Sequence, residues 1–290
     1  MSGNNFGESS YDIAMEPQGK GTSHRLILPN AHYYKRALFA LDELFARVLR
    51  PAETVTIFTT SQSLYVSSCL TESIKRAGKT WSRVFEENTG MVVVIHEWGF
   101  LYPHLAELKR HCRRTGAVLV EDYAYGTGTF FARPMPLRRK HFMVLSLRKF
   151  FGDGGGVLLA PDSFIPQTGE RLPKGLAVSG RPHHIIAKRR RVWQWYRDET
   201  GADCGRWIFG KNESPGAFVL PCERRHTFLR TYLREQGIEC GYWFGNQHLF
   251  LPCHQDMQKR EVKKICVQLR EGFNDCPADN QLSTACKNSS

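Results

Sequence analysis

Two short segments of this 290-residue chain concentrate side chains that could do chemistry: VLVEDYAYG (Val118 to Gly126) and VLSLRKFFGDGGGVLLA (Val144 to Ala160). The first carries an apolar, β-branched run onto Glu121 and Asp122. The second places Ser146 and Lys149 just ahead of the glycines Gly154, Gly155 and Gly156. An amine can condense with an aldehyde, a carboxylate can keep a ring nitrogen protonated, and a serine beside a glycine turn can offer donors to a phosphate. Pyridoxal phosphate (PLP) presents those three groups on one ring. The pattern therefore predicts a PLP site in which Lys149 is the covalent anchor and Asp122 the partner of the ring nitrogen. Plainer readings exist for each: a surface lysine beside Arg148, a helix-capping or loop aspartate, and a buried strand serine.

Such a site needs strands that end side by side. Tyr34, Leu38, Leu41, Leu44, Phe45 and Val48 recur at helical spacing ahead of Pro51, and Thr54 to Thr59 reads as a strand. A second helix spans Val66 to Ala77 and stops at Gly78. Met91 to His96 is an apolar run suited to a parallel sheet covered on both faces. Pro103 to Arg114 reads as a helix with Gly116 past its end, Ala117 to Glu121 as a buried strand, and Phe142 to Leu147 and Gly156 to Ala160 as strands around the lysine segment. Alternating strands and helices predict an α/β domain with a mostly parallel sheet, and ligands of such sheets bind beyond the carboxyl ends of the strands. Asp122 and Lys149 both fall there.

Asp162 to Arg181 turns Pro-, Gly- and polar-rich and reads as a linker or a loop over the site. Beyond it, helices over Ile185 to Arg197, Phe228 to Gln236 and Arg260 to Glu271, with strands near Ala217 to Leu220 and Leu249 to Pro252, predict a small α+β domain. The expected organisation is a disordered leader at 1–24, a large domain at 25–184, a small C-terminal domain at 185–275 and a disordered tail at 276–290.

The net charge of +12 suits an anionic substrate or nucleic acid. The run Lys188 to Arg191, followed by Trp193, Trp195 and Tyr196, fits single-stranded nucleic acid or, more plainly, a solvated helix face beside a packed aromatic one. The nine cysteines form no CxxC pair, so free thiols and no metal site are expected. Neither an apolar leader segment nor a run of roughly 18 apolar residues occurs. A cytosolic protein is expected.

The two central segments, together with VIHEWGFLYPHLAELKRHCRRTG upstream, resemble the DegT/DnrJ/StrS family of PLP-dependent sugar aminotransferases, of PLP fold type I. The residues that carry the likeness are His96, Gly99, Glu121, Asp122, Ser146, Lys149 and Gly154 to Gly156, with looser similarity in GIECGYWFG and LFLPCHQDMQKREVKKICVQLRE. The likeness spans Leu26 to Glu271. It implies that Lys149 binds the cofactor and moves the substrate proton, that Asp122 pairs with the pyridine nitrogen, and that Ser146 binds phosphate. It further places Tyr65 as a stacking aromatic, Tyr125 near the cofactor hydroxyl, Asn30 and Ala31 at the first phosphate-binding turn, and His96 and Arg148 toward substrate. The implied reaction moves an amino group from an amino acid, glutamate, to a keto-sugar linked to a nucleotide, in a homodimer with shared sites. Two departures stand out: Asn30-Ala31-His32 replaces the usual Gly-Thr or Gly-Arg turn, and Tyr125 replaces a Gln or His. They keep open a PLP enzyme of other chemistry, such as elimination, or a non-catalytic basic binding protein.

Overall fold

The computed structural model describes residues 12–18, 23–28, 30–132, 137–152, 154–171, 176–201, 207–222, 225–243 and 247–276. Strands β1 (Ser23–Leu26) and β2 (Ala31–Tyr34) lead into helix α1 (Ala37–Val48), then β3 (Thr54–Thr59), α2 (Ser68–Arg76), β4 (Trp81–Ser82) and β5 (Thr89–Ile95). Next come α3 (Leu105–Thr115), β6 (Val118–Tyr123), α4 (Thr127–Ala132), β7 (His141–Ser146), α5 (Leu147–Phe151) and β8 (Gly156–Leu159). An eight-stranded sheet in the order β4-β3-β5-β6-β7-β8-β2 ends on β9 (Glu170–Arg171). Its pairs from β4 to β7 are parallel, and β7-β8, β8-β2 and β2-β9 are antiparallel.

The apolar runs behave as strands covered on both faces. In β5, Met91 and Val93 pack with Leu44 and Phe45 of α1 and Ile74 of α2, whereas Val92 and Val94 meet Leu108 and Cys112 of α3. That period of two is strand geometry, and complete burial of all four side chains is why the run carries no polar alternation. Met143, Leu145, Phe150 and Phe151 form a further cluster on the sheet's other flank with Tyr123 and Ile185.

Strand β10 (Leu176–Ser179) pairs antiparallel with β1, and α6 (Pro182–Thr200) leads to the second unit. Here β11 (Phe218–Pro221), α7 (His226–Glu235), β12 (Gly241–Trp243), β13 (His248–Leu251) and α8 (Lys259–Asp275) build a three-stranded antiparallel sheet, β11-β13-β12, backed by α7, α8 and the apolar stripe of α6.

Several expectations need correction. The stretch read as a leader is partly structured. Ile13 forms a parallel bridge with Ile238, Met15 N–H donates to Glu239 Oε2 at 2.7 Å, and Ala14 O faces His254 Nε2 at 3.1 Å. The segment read as a linker contributes β9 to the large sheet and β10 to β1. A boundary after residue 184 would cut the first turn of α6. Tyr34, assigned to the first helix, closes β2 and α1 begins at Ala37, because a four-residue strand is too short to show its own period. Of the tail expected at 276–290, Cys276 directly follows α8, and 277–290 lie outside the described residues.

Candidate active site

The parallel register puts Ile95, Asp122 and Val144 in one row and Tyr123 beside Leu145. Asp122 is thus the penultimate residue of β6, at the carboxyl edge, and its Oδ1 accepts a 2.7 Å hydrogen bond from Ala124 N–H. Burial pushes its pKa up, opposed by that hydrogen bond and by the charge of Lys149. Lys149 follows β7 on α5, a helix of five residues, and its Nζ stands 3.3 Å from the centre of the Tyr125 ring. Such a cation over an aromatic face is attracted to the ring quadrupole. Both lysine and tyrosine line a cavity of about 240 Å³, closed by Glu16, Arg189, Glu239 and Phe250.

A five-residue helix leaves its last carbonyls without partners. Arg189 of α6 supplies them: its Nη2 donates to Lys149 O at 2.5 Å and Phe150 O at 3.2 Å, while Nη1 reaches Pro215 O and Nε reaches Gln255. Gln255 Nε2 adds a second bond to Phe150 O at 2.9 Å. Burial lowers the guanidinium to about 10, so it keeps its charge at neutral pH. The expected solvated face of α6 is therefore corrected at one position: Lys188 and Arg191 are exposed, but Arg189 is 2% exposed and grips the lysine helix. Its phase with Ile185, Ile186, Val192, Trp193 and Tyr196 was the available signal.

Behind Asp122 lies a charged hub. Glu121 is fully buried, and it meets His96 Nε2 at 3.0 Å, Tyr123 Oη at 2.9 Å, His141 Nε2 at 2.6 Å and Lys109 Nζ at 2.8 Å. Burial alone would raise its pKa, but the hydrogen bonds from His141 and His96 outweigh burial and hold the carboxyl far below the usual range. His96 Nδ1 accepts from Tyr102 N–H at 3.1 Å, so Nε2 carries the proton that goes to Glu121. With both ring nitrogens engaged and no exposed surface, His96 has none left for a substrate. The expected substrate role is replaced by a positioning one, at the strand end beside Asp122.

The turn expected to bind phosphate, Asn30-Ala31, does not lie at the carboxyl edge. Ala31 pairs with Leu159 and Tyr34 with Gly156, while Gly156 pairs with Ser146. Asn30 and Ala31 therefore start β2 away from the carboxyl edge, and the turn that enters α1 at that edge is Lys35-Arg36. Gly156 makes the approach possible, since a Cβ there would collide with the backbone of Ala37. The amino end of α1, which has no side-chain cap, consequently sits against the glycine turn that follows Lys149. Ser146 is buried at the mouth of α5, its N–H bonded to Thr127 Oγ1 at 3.1 Å. Tyr65, 40% exposed, lies between β3 and α2 on the same edge. Arg148, assigned toward substrate, is held by Glu16 at 2.5 Å.

A carboxylate and a lysine at the carboxyl edge of this layered sheet, with a small α+β unit closing the cavity, define the architecture as PLP fold type I. The solved structures that share it bear this out. No family model and no curated protein matches the sequence. Helicobacter pylori PseC, an aminotransferase involved in the biosynthesis of pseudoaminic acid, superposes with a TM-score of 0.63 at 12% identity, over 85% of this chain and 87% of that one. The aminotransferase TlmJ from Streptoalloteichus hindustanus gives 0.62 at 13% identity, covering 84% and 86%. A DegT DnrJ EryC1 StrS aminotransferase from Brucella abortus gives 0.61 at 13%, covering 85% and 86%. At such identities the likeness is one of fold.

Proposed function

We propose that this chain is a PLP-dependent aminotransferase acting on a keto-sugar. The observation that carries the reading is the placement of Asp122, penultimate in β6, and of Lys149, on the helix that follows β7, at the same carboxyl edge of the sheet. Burial leaves that carboxylate short of compensating charge, and a protonated ring nitrogen supplies it. The residues fit the cofactor at its other end as well: Ser146, the glycine turn and the uncapped amino end of α1 with Lys35 and Arg36 converge as phosphate donors.

When bound, PLP supplies an electron sink for negative charge developing at the substrate carbon. Asp122 keeps the proton on the ring nitrogen. Lys149 Nζ would hold the cofactor at its aldehyde carbon and would carry the substrate proton. Arg189 and Gln255 fix the helix from which Lys149 reaches, and Tyr125 limits where Nζ can stand. Tyr65 is assigned to the cofactor ring and Arg148 to substrate. The donor is an amino acid, glutamate, and the acceptor a nucleotide-linked keto-sugar whose diphosphate suits the excess of positive charge. The working unit is a homodimer in the cytosol.

The test is spectroscopic. Protein mixed with PLP should develop visible absorbance that borohydride abolishes, and peptide mapping should find the fixed mass on Lys149. Lys149→Ala that gives the same spectrum and the same fixation elsewhere sinks the proposal. The Tyr125 ring against Lys149 Nζ, where the related pattern has a Gln or His, favours one second reading: the same cofactor used for elimination. Half-transamination with a panel of amino acids separates the two, since elimination returns the original absorbance after each turnover.

A further inference from the structure

The far edge of the large sheet carries a second cavity that the proposed reaction does not use. It holds about 520 Å³, within the range typical of small-molecule sites, between the end of α3, the starts of β6 and β7, and the loop before β7. Asp122 and Lys149 lie at the opposite ends of those strands. The cavity is lined by Lys109, Arg113, Arg138, Arg139 and Lys140 and by no carboxylate.

Two of these cations are engaged: Lys109 with the buried Glu121, and Lys140 with Gly116 O at 2.7 Å. The second bond covers a carbonyl at the carboxyl end of α3, which would otherwise oppose an anion. The side chains of Arg113, Arg138 and Arg139 make no hydrogen bond or ion pair among the described residues. On the adjoining face Glu53 is occupied by Arg50 at 2.9 Å. Like charges gathered this way repel, and the fold gains nothing from their proximity without an anion between them. Beneath the cations the surface changes character. Cys112, Ala117 and Leu119 form a buried, apolar floor.

We infer that this cavity binds a small molecule carrying two or more phosphates on a flat apolar body, that is, a nucleoside di- or triphosphate, at a site separate from the Lys149 cavity. The arginines take the phosphates in bidentate fashion, and the base lies on the Ala117 and Leu119 floor.

The experiment is titration calorimetry of the full chain with ADP, pyrophosphate and adenosine as probes. ADP should bind, more weakly as salt is raised, and more tightly than pyrophosphate or adenosine. Arg138→Glu with Arg139→Glu, both exposed side chains, should weaken ADP by about tenfold or more, or roughly 1.4 kcal/mol, as should Arg113→Glu separately. Lys149→Ala should leave ADP binding intact, which distinguishes this site from the proposed substrate site. Absence of ADP binding, binding that survives both sets of arginine reversals, loss in Lys149→Ala, or pyrophosphate binding as tightly as ADP would each overturn the assignment.

Discussion

Replacing Glu121 by glutamine keeps the side chain's shape and removes its charge, which makes it a clean probe of the buried hub behind Asp122. Four donors converge on the carboxylate: His96, Tyr123, His141 and Lys109. An amide offers one acceptor oxygen, so its NH2 must face groups that are themselves donors, and the Lys109 ammonium loses its counter-charge. Breaking a buried pair by neutralising one partner costs about 3–5 kcal/mol. In urea that loss should lower the unfolding midpoint by about 1 M or more. The pH dependence follows from the depressed pKa of Glu121. A carboxyl that is harder to protonate folded than unfolded stabilises the fold above its unfolded value, about 4.3, and that stabilisation fades as pH falls through the folded one. The gap between wild type and Glu121→Gln should be full at pH 7 and narrow progressively below about pH 4.3. Urea melts followed by tryptophan fluorescence at a series of pH values read both quantities. Coincident midpoints at pH 7, or a gap that widens on acidification, refute the reasoning.

Two further outcomes follow from neighbouring groups. Arg189→Met leaves the carbonyls of Lys149, Phe150 and Pro215 without their shared donor and should cost about 3–5 kcal/mol. At temperatures where the variant is still folded by circular dichroism, the fraction of protein fixed to PLP by borohydride at limiting cofactor should also fall, which a purely global destabilisation would not produce. Glu97 points the other way from Glu121. Burial raises its pKa to about 7, against hydrogen bonds from Ser61 and Trp243. A carboxyl easier to protonate folded than unfolded weakens the fold as pH rises from about 4.3 to about 7, by about 4 kcal/mol in total. Wild type should show that decline in thermal melts, and Glu97→Gln should flatten it.

The elements that were legible are those whose burial is uniform. Met91 to Val94 faces helices on both sides, so an unbroken apolar run could only be a covered strand, and Asp122 and Lys149 followed from where such strands end. The elements that misled are those whose partners lie far along the chain. β2 has four residues and owes its existence to β8, so Tyr34 reads as helix in the sequence, and the turn at the carboxyl edge is Lys35-Arg36, next to the approach of Ala37 to Gly156, and not Asn30-Ala31. His96 matched a pattern by type, but its engagement on both ring nitrogens depends on Tyr102 and Glu121, which spacing does not report. Arg189 could have been found. A charged residue in phase with an apolar helix stripe, near a short helix with free carbonyls, is a buried cap.

The segment from Asp12 to Gln18 adds a temporal constraint on the Lys149 cavity. Glu16 forms one wall, yet the segment that seats it is Ile238 and its neighbours, 224 residues away for the Met15 to Glu239 bond and 240 for the Ala14 to His254 contact. Contacts of that separation form late, after loop closure has been met by nearer pairings. On a ribosome, the large sheet, Asp122 and Lys149 exist long before residues 238–256 emerge. The lysine helix must therefore wait without Gln255 beneath it and without the far wall of its cavity. On the proposed reading of Lys149 as the cofactor lysine, capture of the cofactor is thereby tied to the end of synthesis.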